Sequence, residues 1–369
     1  MPRAVIAEQL GPIANYELRA YDPGPPKPNQ IRIAVRAAGV SFVDVLTAEG
    51  KYHVSPPTPF IPGSECAGLI AAIGAEVKQF SVGQPVVATG FGGIFAEVVN
   101  LNARSVWPMP ENLSFEEAAV FPVSYTTVWH ALVDRGRLQA GETLLVLGAG
   151  GATGYAAVQT GKHLGARVIA SASSEAKRQL ALAGGADAAV DARSESWRED
   201  LKTANAGKPF DVVFDPVGGE ATEAAFRTLG WNGRHLIVGF TGGIASLRTN
   251  LPLLKGASLI GVNLRQFGEV DLQRAEANRD KVFALAKQGV FRPVVAQNFS
   301  LERFAEAMAA AASGHGAGRI VIAIRSEARR TGGAARVSAA FLRQVAAGSG
   351  RTRRSADSSP RISCCGTSR

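Results

Sequence analysis

The chain has 369 residues, of which 46% are apolar, with a formal net charge of +9 and a mean hydropathy of +0.06. This length and apolar content suffice for a large core and about two globular domains. No run of about 18 uncharged apolar residues occurs and no apolar run follows a basic start, so we expect neither membrane spans nor secretion, and the cytoplasm is the expected compartment.

The first 122 residues contain short segments that alternate apolar and polar residues, most clearly at residues 31–37. A Pro-Gly-Pro-Pro stretch at residues 23–26 and two prolines at residues 56–57 separate these segments, and the pattern predicts a β-rich domain. A helix is expected to begin at Ser114, because Ser114 and Glu117 form a capping box in which each side chain satisfies a free backbone donor.

Residues 144–154 read Leu-Leu-Val-Leu-Gly-Ala-Gly-Gly-Ala-Thr-Gly and predict a buried strand that turns through glycines into a helix over residues 155–164. Such a turn directs backbone N–H groups at a pyrophosphate. The pattern is the dinucleotide fingerprint with alanine at its first position. A structural turn in another α/β protein is the alternative. The predicted pyrophosphate-binding residues are Ala149, Gly150, Gly151, Ala152, Thr153 and Gly154.

Apolar strands alternate with helical segments in the middle of the chain, which is typical of a doubly wound parallel sheet in an α/β fold. The six predicted strands are residues 144–147, 167–171, 188–190, 211–214, 235–239 and 258–262. Helices at residues 271–288 and 301–313 and a last strand at residues 319–324 are expected to return to the first domain. The cleft between the two domains is then the expected substrate site.

The segment after the second of these strands bears on the choice of cofactor. NAD-binding units place an acid about 20 residues past the first glycine, where it binds the ribose 2′-hydroxyl. Here Ser173, Ser174 and Lys177 follow the strand, with Arg178 as a further cation, and no acid stands directly at the strand end. Hydroxyls and a cation suit a 2′-phosphate, which predicts NADPH. A serine N-cap on an ordinary solvated helix is the alternative.

The positive charge is concentrated at the end of the chain. Residues 325–369 contain ten arginines and two acids, which leaves 30 basic and 29 acidic residues before them. This segment is rich in Gly, Ser and Ala and has no apolar period, so we predict a disordered tail of minor function. Binding of nucleic acid or another acidic partner is the alternative.

Five stretches resemble one known family. They are residues 39–44 (Gly-Val-Ser-Phe-Val-Asp), 62–68 (Pro-Gly-Ser-Glu-Cys-Ala-Gly), 122–129 (Pro-Val-Ser-Tyr-Thr-Thr-Val-Trp), the fingerprint, and 214–219 (Phe-Asp-Pro-Val-Gly-Gly). Over about residues 1–324 the chain resembles the zinc-free quinone oxidoreductases related to zeta-crystallin, a branch of the medium-chain dehydrogenase/reductase superfamily.

The resemblance implies a Rossmann-type doubly wound parallel sheet plus a β-rich GroES-like substrate domain. The substrate domain would comprise residues 1–122, completed by residues 266–324, and the NADPH-binding domain residues 123–265. The basic tail at residues 325–369 has no counterpart in the family. Relatives commonly pair through the edge strand of the nucleotide-binding sheet, here residues 258–262, so a homodimer is expected.

No metal is expected. Zinc members of the superfamily have a cysteine at the position of Asp44, a histidine at that of Ser64, and four closely spaced cysteines for a structural metal. Cys66 is the only cysteine before residue 325, and a catalytic zinc needs three protein ligands.

The resemblance also implies site residues. Thr127, Asn263 and the backbone of Val238, Gly239 and Phe240 would surround the nicotinamide. Tyr52 and Ser41 are the candidate catalytic residues. Related enoyl-thioester reductases have a tyrosine at the place of Tyr52 as the expected proton donor; a pocket-lining aromatic is the alternative. Tyr125 and Trp129 are expected in the core, and Asp44 is expected to have a structural role.

Three functions remain open at this point. The first is zinc-independent, NADPH-dependent hydride transfer to a quinone, a reaction in which the cofactor supplies the difficult step. The second is reduction of an activated double bond in an enoyl thioester or an enone. The third is an NADPH-binding protein with an RNA-binding role and little turnover, in which the basic tail contacts the RNA.

Overall fold

The computed structural model describes residues 1–324. The predicted basic tail lies outside the described residues. The alternative that this tail binds nucleic acid therefore also concerns residues outside the described part of the chain. Among the described residues, no helix is both long and apolar enough to cross a membrane.

The first third of the chain consists mainly of strands. These are β1 (Arg3–Ile6), β2 (Glu17–Ala20), β3 (Gln30–Val40), β4 (Glu65–Ile73), β5 (Pro85–Thr89), β6 (Val98–Asn102) and β7 (Val106–Pro108). Two short helices interrupt or follow them, α1 (Phe42–Ala48) and α2 (Phe115–Ala118). Ser114 caps α2 through the predicted capping box, because its side chain accepts from the N–H of Glu117 while Glu117 accepts from the N–H of Ser114.

Helices and strands alternate in the next part. The helices are α3 (Pro122–Trp129), α4 (Ala152–His163), α5 (Glu175–Ala183), α6 (Trp197–Ala204), α7 (Glu220–Phe226) and α8 (Asn250–Lys255). The strands are β8 (Thr143–Leu147), β9 (Arg167–Ala172), β10 (Ala188–Asp191), β11 (Phe210–Asp215), β12 (Leu229–Ile237) and β13 (Ser258–Gly261). The remaining elements are α9 (Leu264–Val270), α10 (Leu272–Lys287), β14 (Val295–Ser300), α11 (Phe304–Ser313) and β15 (Arg319–Ala323).

One sheet contains six parallel strands in the order β10-β9-β8-β11-β12-β13. This confirms the predicted doubly wound sheet, and the chain order reverses next to β8. Strand β12 begins at Leu229, six residues before its predicted start at His235. The register of β12 shifts against β11, and Asn232 adopts φ of +60°. Because the first half of β12 is polar and irregular, the sequence does not show the apolar pattern of a strand before residue 235.

A second, seven-stranded sheet contains β14-β15-β3-β4-β5-β7 in this order, with β6 paired to β3. Strand β15 pairs with β3 in antiparallel fashion, so the last strands of the described chain join the sheet built by the first third. The domain limits drawn from the sequence stay a prediction.

The aromatic core at the start of α3 connects α3 with α10. Tyr125 is 1% exposed, and its ring lies 4.7 Å from that of Phe121 and 5.2 Å from that of Phe291. Phe283 of α10 packs edge-on against Phe121 at 5.4 Å. Tyr125 and Trp129 are therefore buried in the core, as the sequence predicted.

Candidate functional site

The fingerprint turn joins β8 to α4. Gly148 follows β8 with φ of +59°, and Gly151 is the N-cap of the 12-residue helix α4. No side chain caps α4, because its N-cap is a glycine. The N-terminus of α4 therefore presents backbone N–H groups and the positive end of the helix dipole to an anion.

Close contacts explain the glycines of this turn. A Cβ on Gly154 would lie 2.1 Å from the carbonyl oxygen of Gly148, so only glycine allows α4 to pack on the turn. A Cβ on Gly150 would lie 2.4 Å from Cβ and 2.6 Å from Cγ of Lys177, so Lys177 packs directly against the turn. Gly151 differs, because its nearest neighbour would be the Gly148 oxygen at 3.3 Å. Its open side leaves room for a ligand next to the backbone.

The predicted 2′-phosphate residues lie beside this turn. Ser174 is the N-cap of α5 and accepts from the N–H of Lys177 at 3.4 Å. Lys177 Nζ donates to the carbonyl oxygen of Gly314. Burial, and then the charge of Arg193, lower the pKa of Lys177. Ser173 is half-buried next to Ser174. The structure thus brings Ser173, Ser174 and Lys177 together next to the fingerprint.

Arg178 is differently placed. Its Nη2 lies 2.8 Å from Oε2 of Glu175, and its Nη1 lies 2.8 Å from Oδ2 of Asp191. Nη1 also donates to the carbonyl oxygen of Ala172 at 3.3 Å. These contacts neutralise the guanidinium, so Arg178 is not a free cation for a phosphate.

A buried arginine, which the sequence reasoning missed, faces the fingerprint. Arg319 opens β15 and is 6% exposed; its Nη2 donates to Oε1 of Glu65 at 2.5 Å and its Nη1 to Oγ of Ser124 at 2.8 Å. Its Nε has no hydrogen-bond partner among the described residues. The only signal in the sequence was an arginine at the start of an apolar strand.

Arg319 also lines a small cavity at the N-terminus of α4. The cavity holds about 10 Å³, room for one water molecule, and Gly151, Ala152, Ser124 and Tyr155 are among the residues that line it. A buried guanidinium, whose charge is paired with Glu65 and whose Nε has no partner among the described residues, therefore meets an uncapped helix N-terminus. Both features stabilise a negative charge.

Asp44 and Ser64 are the residues that the family resemblance places at the positions of zinc ligands. The N–H and the hydroxyl of Ser41 each donate to Oδ2 of Asp44 at 2.7 Å, which completes a capping box at the start of α1. Burial raises the pKa of Asp44. Among residues 1–324, no group of three or more His, Cys, Asp or Glu side chains is arranged to hold a metal ion.

Tyr52 lies in the loop that follows α1. Its N–H donates to the carbonyl oxygen of Leu46 at 3.1 Å, and its ring lies 4.2 Å from that of His53 and 6.3 Å from that of Phe91. Burial raises the pKa of Tyr52, and the charge of Arg265 opposes this rise. The phenol is therefore protonated at neutral pH and is chemically able to donate a proton.

Four of the residues predicted to surround the nicotinamide follow the carboxyl ends of strands. Val238, Gly239 and Phe240 follow β12, and Asn263 follows β13. Val238 N–H donates to the carbonyl oxygen of Asp215 at 2.8 Å, and Asn263 is the N-cap of α9. The Asp215 carboxylate accepts from the N–H groups of Val217 and Gly218. Its other oxygen lies 2.9 Å from Nε2 of His235. Asp215 thus holds two adjacent loops at the same edge of the sheet as the fingerprint.

Gly239, Phe240 and Thr127 complete this set. Gly239 lies close to the loop after β11, since its N–H donates to the Asp215 carbonyl oxygen at 3.4 Å. Phe240 is 48% exposed and follows it in the same loop, whereas Thr127 is half-buried in α3. Ligands of open α/β sheets bind at the carboxyl ends of the strands, next to the point where the strand order reverses. The fingerprint and the loop after β12 lie at this edge.

Comparisons with known proteins agree with this geometry. Residues 27–111 match the alcohol dehydrogenase GroES-like domain, and residues 152–277 match the family described as zinc-binding dehydrogenase. The chain is 33% identical over 324 residues to quinone oxidoreductase-like protein 2 of Rattus norvegicus, covering 87% of this chain and 92% of the relative.

Two further matches are informative. The chain is 34% identical over 318 residues to a phenolphthiocerol/phthiocerol polyketide synthase of Mycobacterium tuberculosis, covering 86% of this chain but 14% of that protein. Among solved structures, the quinone oxidoreductase of Escherichia coli complexed with NADPH superposes with a TM-score of 0.80 at 26% identity, covering 87% of this chain and 99% of that one.

Proposed function

The chain belongs to the zinc-free quinone oxidoreductase branch of the medium-chain dehydrogenase/reductase superfamily, and we propose that it is an NADPH-dependent oxidoreductase that transfers hydride to a quinone. The observation that carries NADPH is the position of Lys177, whose Cβ and Cγ pack against Gly150 of the fingerprint turn, in the helix that Ser174 caps. A lysine and two serine hydroxyls suit the additional phosphate of NADPH, whereas NADH has only a hydroxyl there.

The residues present fit a dinucleotide. The N-terminus of α4, with Ala152 and Thr153 in its first turn, would bind the pyrophosphate. Ser173, Ser174 and Lys177 would bind the 2′-phosphate. Ala149, Gly150 and Gly154 shape the turn, because they allow close packing rather than supply a charge.

The nicotinamide would be oriented by Thr127, by Asn263 and by the backbone of Val238, Gly239 and Phe240. When bound, NADPH supplies the hydride. The acceptor then needs one proton to balance the two electrons it has received. Tyr52, with its phenol protonated at neutral pH, would provide this proton or line the pocket. The hydroxyl of Ser41, the other predicted catalytic residue, already donates to Oδ2 of Asp44, so Ser41 would cap α1 rather than donate to the acceptor.

The cofactor preference is the first test of this proposal. We expect the Michaelis constant for NADPH to be at least about tenfold lower than that for NADH, because each charge-assisted bond to the 2′-phosphate contributes about 1.5–3 kcal/mol. Initial rates with a soluble quinone, at varied concentrations of each cofactor, measure both constants. Equal Michaelis constants would contradict the NADPH proposal.

Reduction of an activated double bond is the second candidate. It is favoured by the protonated phenol of Tyr52 and by the identity to a polyketide synthase over most of this chain. In this reaction hydride adds to the β-carbon, and the resulting enolate takes one proton from a general acid. A quinone needs such a donor less, because water readily protonates its reduced oxygens.

The Tyr52→Phe variant separates the two reactions. If Tyr52 is the general acid, loss of its hydroxyl should reduce the turnover of an enoyl-CoA or enone by about 10²–10⁴-fold and leave quinone turnover nearly unchanged. Oxidation of NADPH with a quinone, a short enoyl-CoA and an enone provides the measurement. Tyr21→Phe, at the end of β2, is the matched control. Unchanged enoyl-CoA turnover in Tyr52→Phe would assign Tyr52 to the pocket wall.

A homodimer in the cytoplasm remains the expected form. Strand β13 is an edge strand of the six-stranded sheet, and Leu259 within it is 45% exposed. Trp231 in the neighbouring strand β12, and Leu253 and Leu254 in α8, are 72–81% exposed. An exposed apolar edge is a surface that a second strand tends to cover. Native mass spectrometry should give twice the chain mass, and a monomer at micromolar concentration would argue against this pairing.

A further inference from the structure

Two cations follow neighbouring strands at the edge of the cofactor site. Strands β9 and β10 run parallel with Asp191 opposite Ala172, and the N–H of Ala192 donates to the carbonyl oxygen of Ala172 at 3.1 Å. Arg193 therefore follows β10 at the same level at which Ser173 and Ser174 follow β9. Lys177 is in the first turn of the helix that Ser174 caps.

The two acids near the ends of β9 and β10, Glu175 and Asp191, already form ion pairs. Arg178 binds both Glu175 and Asp191, and the remaining Asp191 oxygen, Oδ1, accepts from the backbone N–H of Arg193 at 2.9 Å. Among the described residues, the Arg193 guanidinium forms no hydrogen bond and no ion pair, and the side chain is exposed. The positive charge of Arg193 is therefore available to a ligand.

Neither Arg193 nor Lys177 forms an ion pair among the described residues. The N–H of Arg193, and then the charges of Arg178 and Arg193, lower the pKa of Asp191, so Asp191 lies between the two arginines in electrostatic terms. Among the described residues, Lys177 Nζ forms a hydrogen bond only to the neutral carbonyl oxygen of Gly314, and burial, then the charge of Arg193, lower the pKa of Lys177. Two like charges at close range repel each other unless an anion lies between them. A phosphate group carries enough charge and enough acceptor oxygens to bind both side chains.

We propose that Arg193 is the second cation of the 2′-phosphate site and determines, together with Lys177, the preference for a 2′-phosphorylated dinucleotide. This inference rests on the proposed NADPH function. Arg193 would thus supply the second positive charge at the 2′-phosphate, which the sequence analysis assigned to Arg178. Arg178 instead forms ion pairs with Glu175 and Asp191. The adenosine end of the cofactor would then lie between the ends of β9 and β10, with Ser173 and Ser174 as hydroxyl donors.

Calorimetric binding of two adenosine fragments to the purified protein without cofactor tests this proposal and needs no turnover. Adenosine 2′,5′-bisphosphate carries the 2′-phosphate, whereas ADP does not. We expect wild type to bind the bisphosphate more tightly, Arg193→Gln to lose about tenfold in bisphosphate affinity, and Arg193→Lys to recover part of this loss. ADP affinity should be the same in all three proteins.

Arg198→Gln is the matched control, because it removes one exposed positive charge from α6 in the same part of the chain. It should bind both fragments as wild type does. If wild type does not distinguish the two fragments, the proposed NADPH function fails and the role of Arg193 fails with it. If wild type prefers the bisphosphate but Arg193→Gln binds it equally well, only the role of Arg193 is overturned.

Discussion

Replacement of Arg319 by methionine is expected to lower the free energy of unfolding by about 3–5 kcal/mol at neutral pH. Arg319 and Glu65 are 6% and 1% exposed, and their ion pair joins β4 to β15. Without the guanidinium, the Glu65 carboxylate would remain buried with the N–H of Val123 as its main donor. A buried charge that has lost its partner is among the most costly defects in a protein.

The pH dependence of this loss identifies its cause. Burial raises the pKa of Glu65, and Arg319 opposes that rise, so the Arg319→Met variant should have a still higher folded pKa. A folded pKa above the unfolded value of about 4.3 means that stability is present at low pH and is lost as the pH rises through the folded pKa. The variant should therefore be closest to wild type near pH 5 and furthest from it near pH 8.

Urea denaturation of both proteins across this range measures the effect. The double variant Glu65→Gln/Arg319→Met is the control, because a neutral amide removes the buried charge and should recover part of the stability at pH 8. A loss that is independent of pH, or a double variant as unstable as the single one, would show that packing rather than charge holds this pair.

Replacement of Gly154 by alanine should abolish NADPH binding and lower the melting temperature. The new Cβ would lie 2.1 Å from the carbonyl oxygen of Gly148 and 2.8 Å from Cα of Ala149, both of which are backbone atoms. Neither atom can move without displacing β8 or α4. We expect a destabilisation of about 1–3 kcal/mol from overpacking and a loss of NADPH affinity of at least about 100-fold.

Gly151→Ala provides the comparison within the same turn. Its Cβ would meet only the Gly148 oxygen at 3.3 Å, and its φ of −88° suits any residue. The fold should therefore keep its melting temperature within a few degrees, whereas the methyl group would stand where the pyrophosphate must approach the backbone. NADPH affinity should fall although the protein is folded.

Differential scanning calorimetry and a fluorescence titration with NADPH separate these effects. Gly268→Ala, where a Cβ would have nothing within 4 Å, is the control and should match wild type in NADPH binding. NADPH binding of normal affinity by Gly154→Ala would show that the turn adapts, and the packing argument would be wrong. Normal affinity in Gly151→Ala would move the phosphates away from this residue.

Much of the fold followed from local patterns. The strand before the fingerprint, the capping box at Ser114 and the buried Tyr125 are as predicted, because each depends on neighbouring residues or on apolar periodicity. The start of β12 was misplaced by the same reasoning. Its first half contains polar residues and a left-handed Asn232, which in sequence look like a turn.

By itself, the sequence determined the family, the alternation of strands and helices, and the glycines of the pyrophosphate turn, because these depend on residues close together in the chain. Only the tertiary structure decided which charges are free. Arg178 and Lys177 are adjacent in the chain, yet Arg178 forms an ion pair with Asp191, whereas Lys177 donates to the neutral carbonyl oxygen of Gly314. Arg319 reaches the fingerprint from a strand of the other sheet. Electrostatic partners are set by distance in space, which the order of residues does not specify.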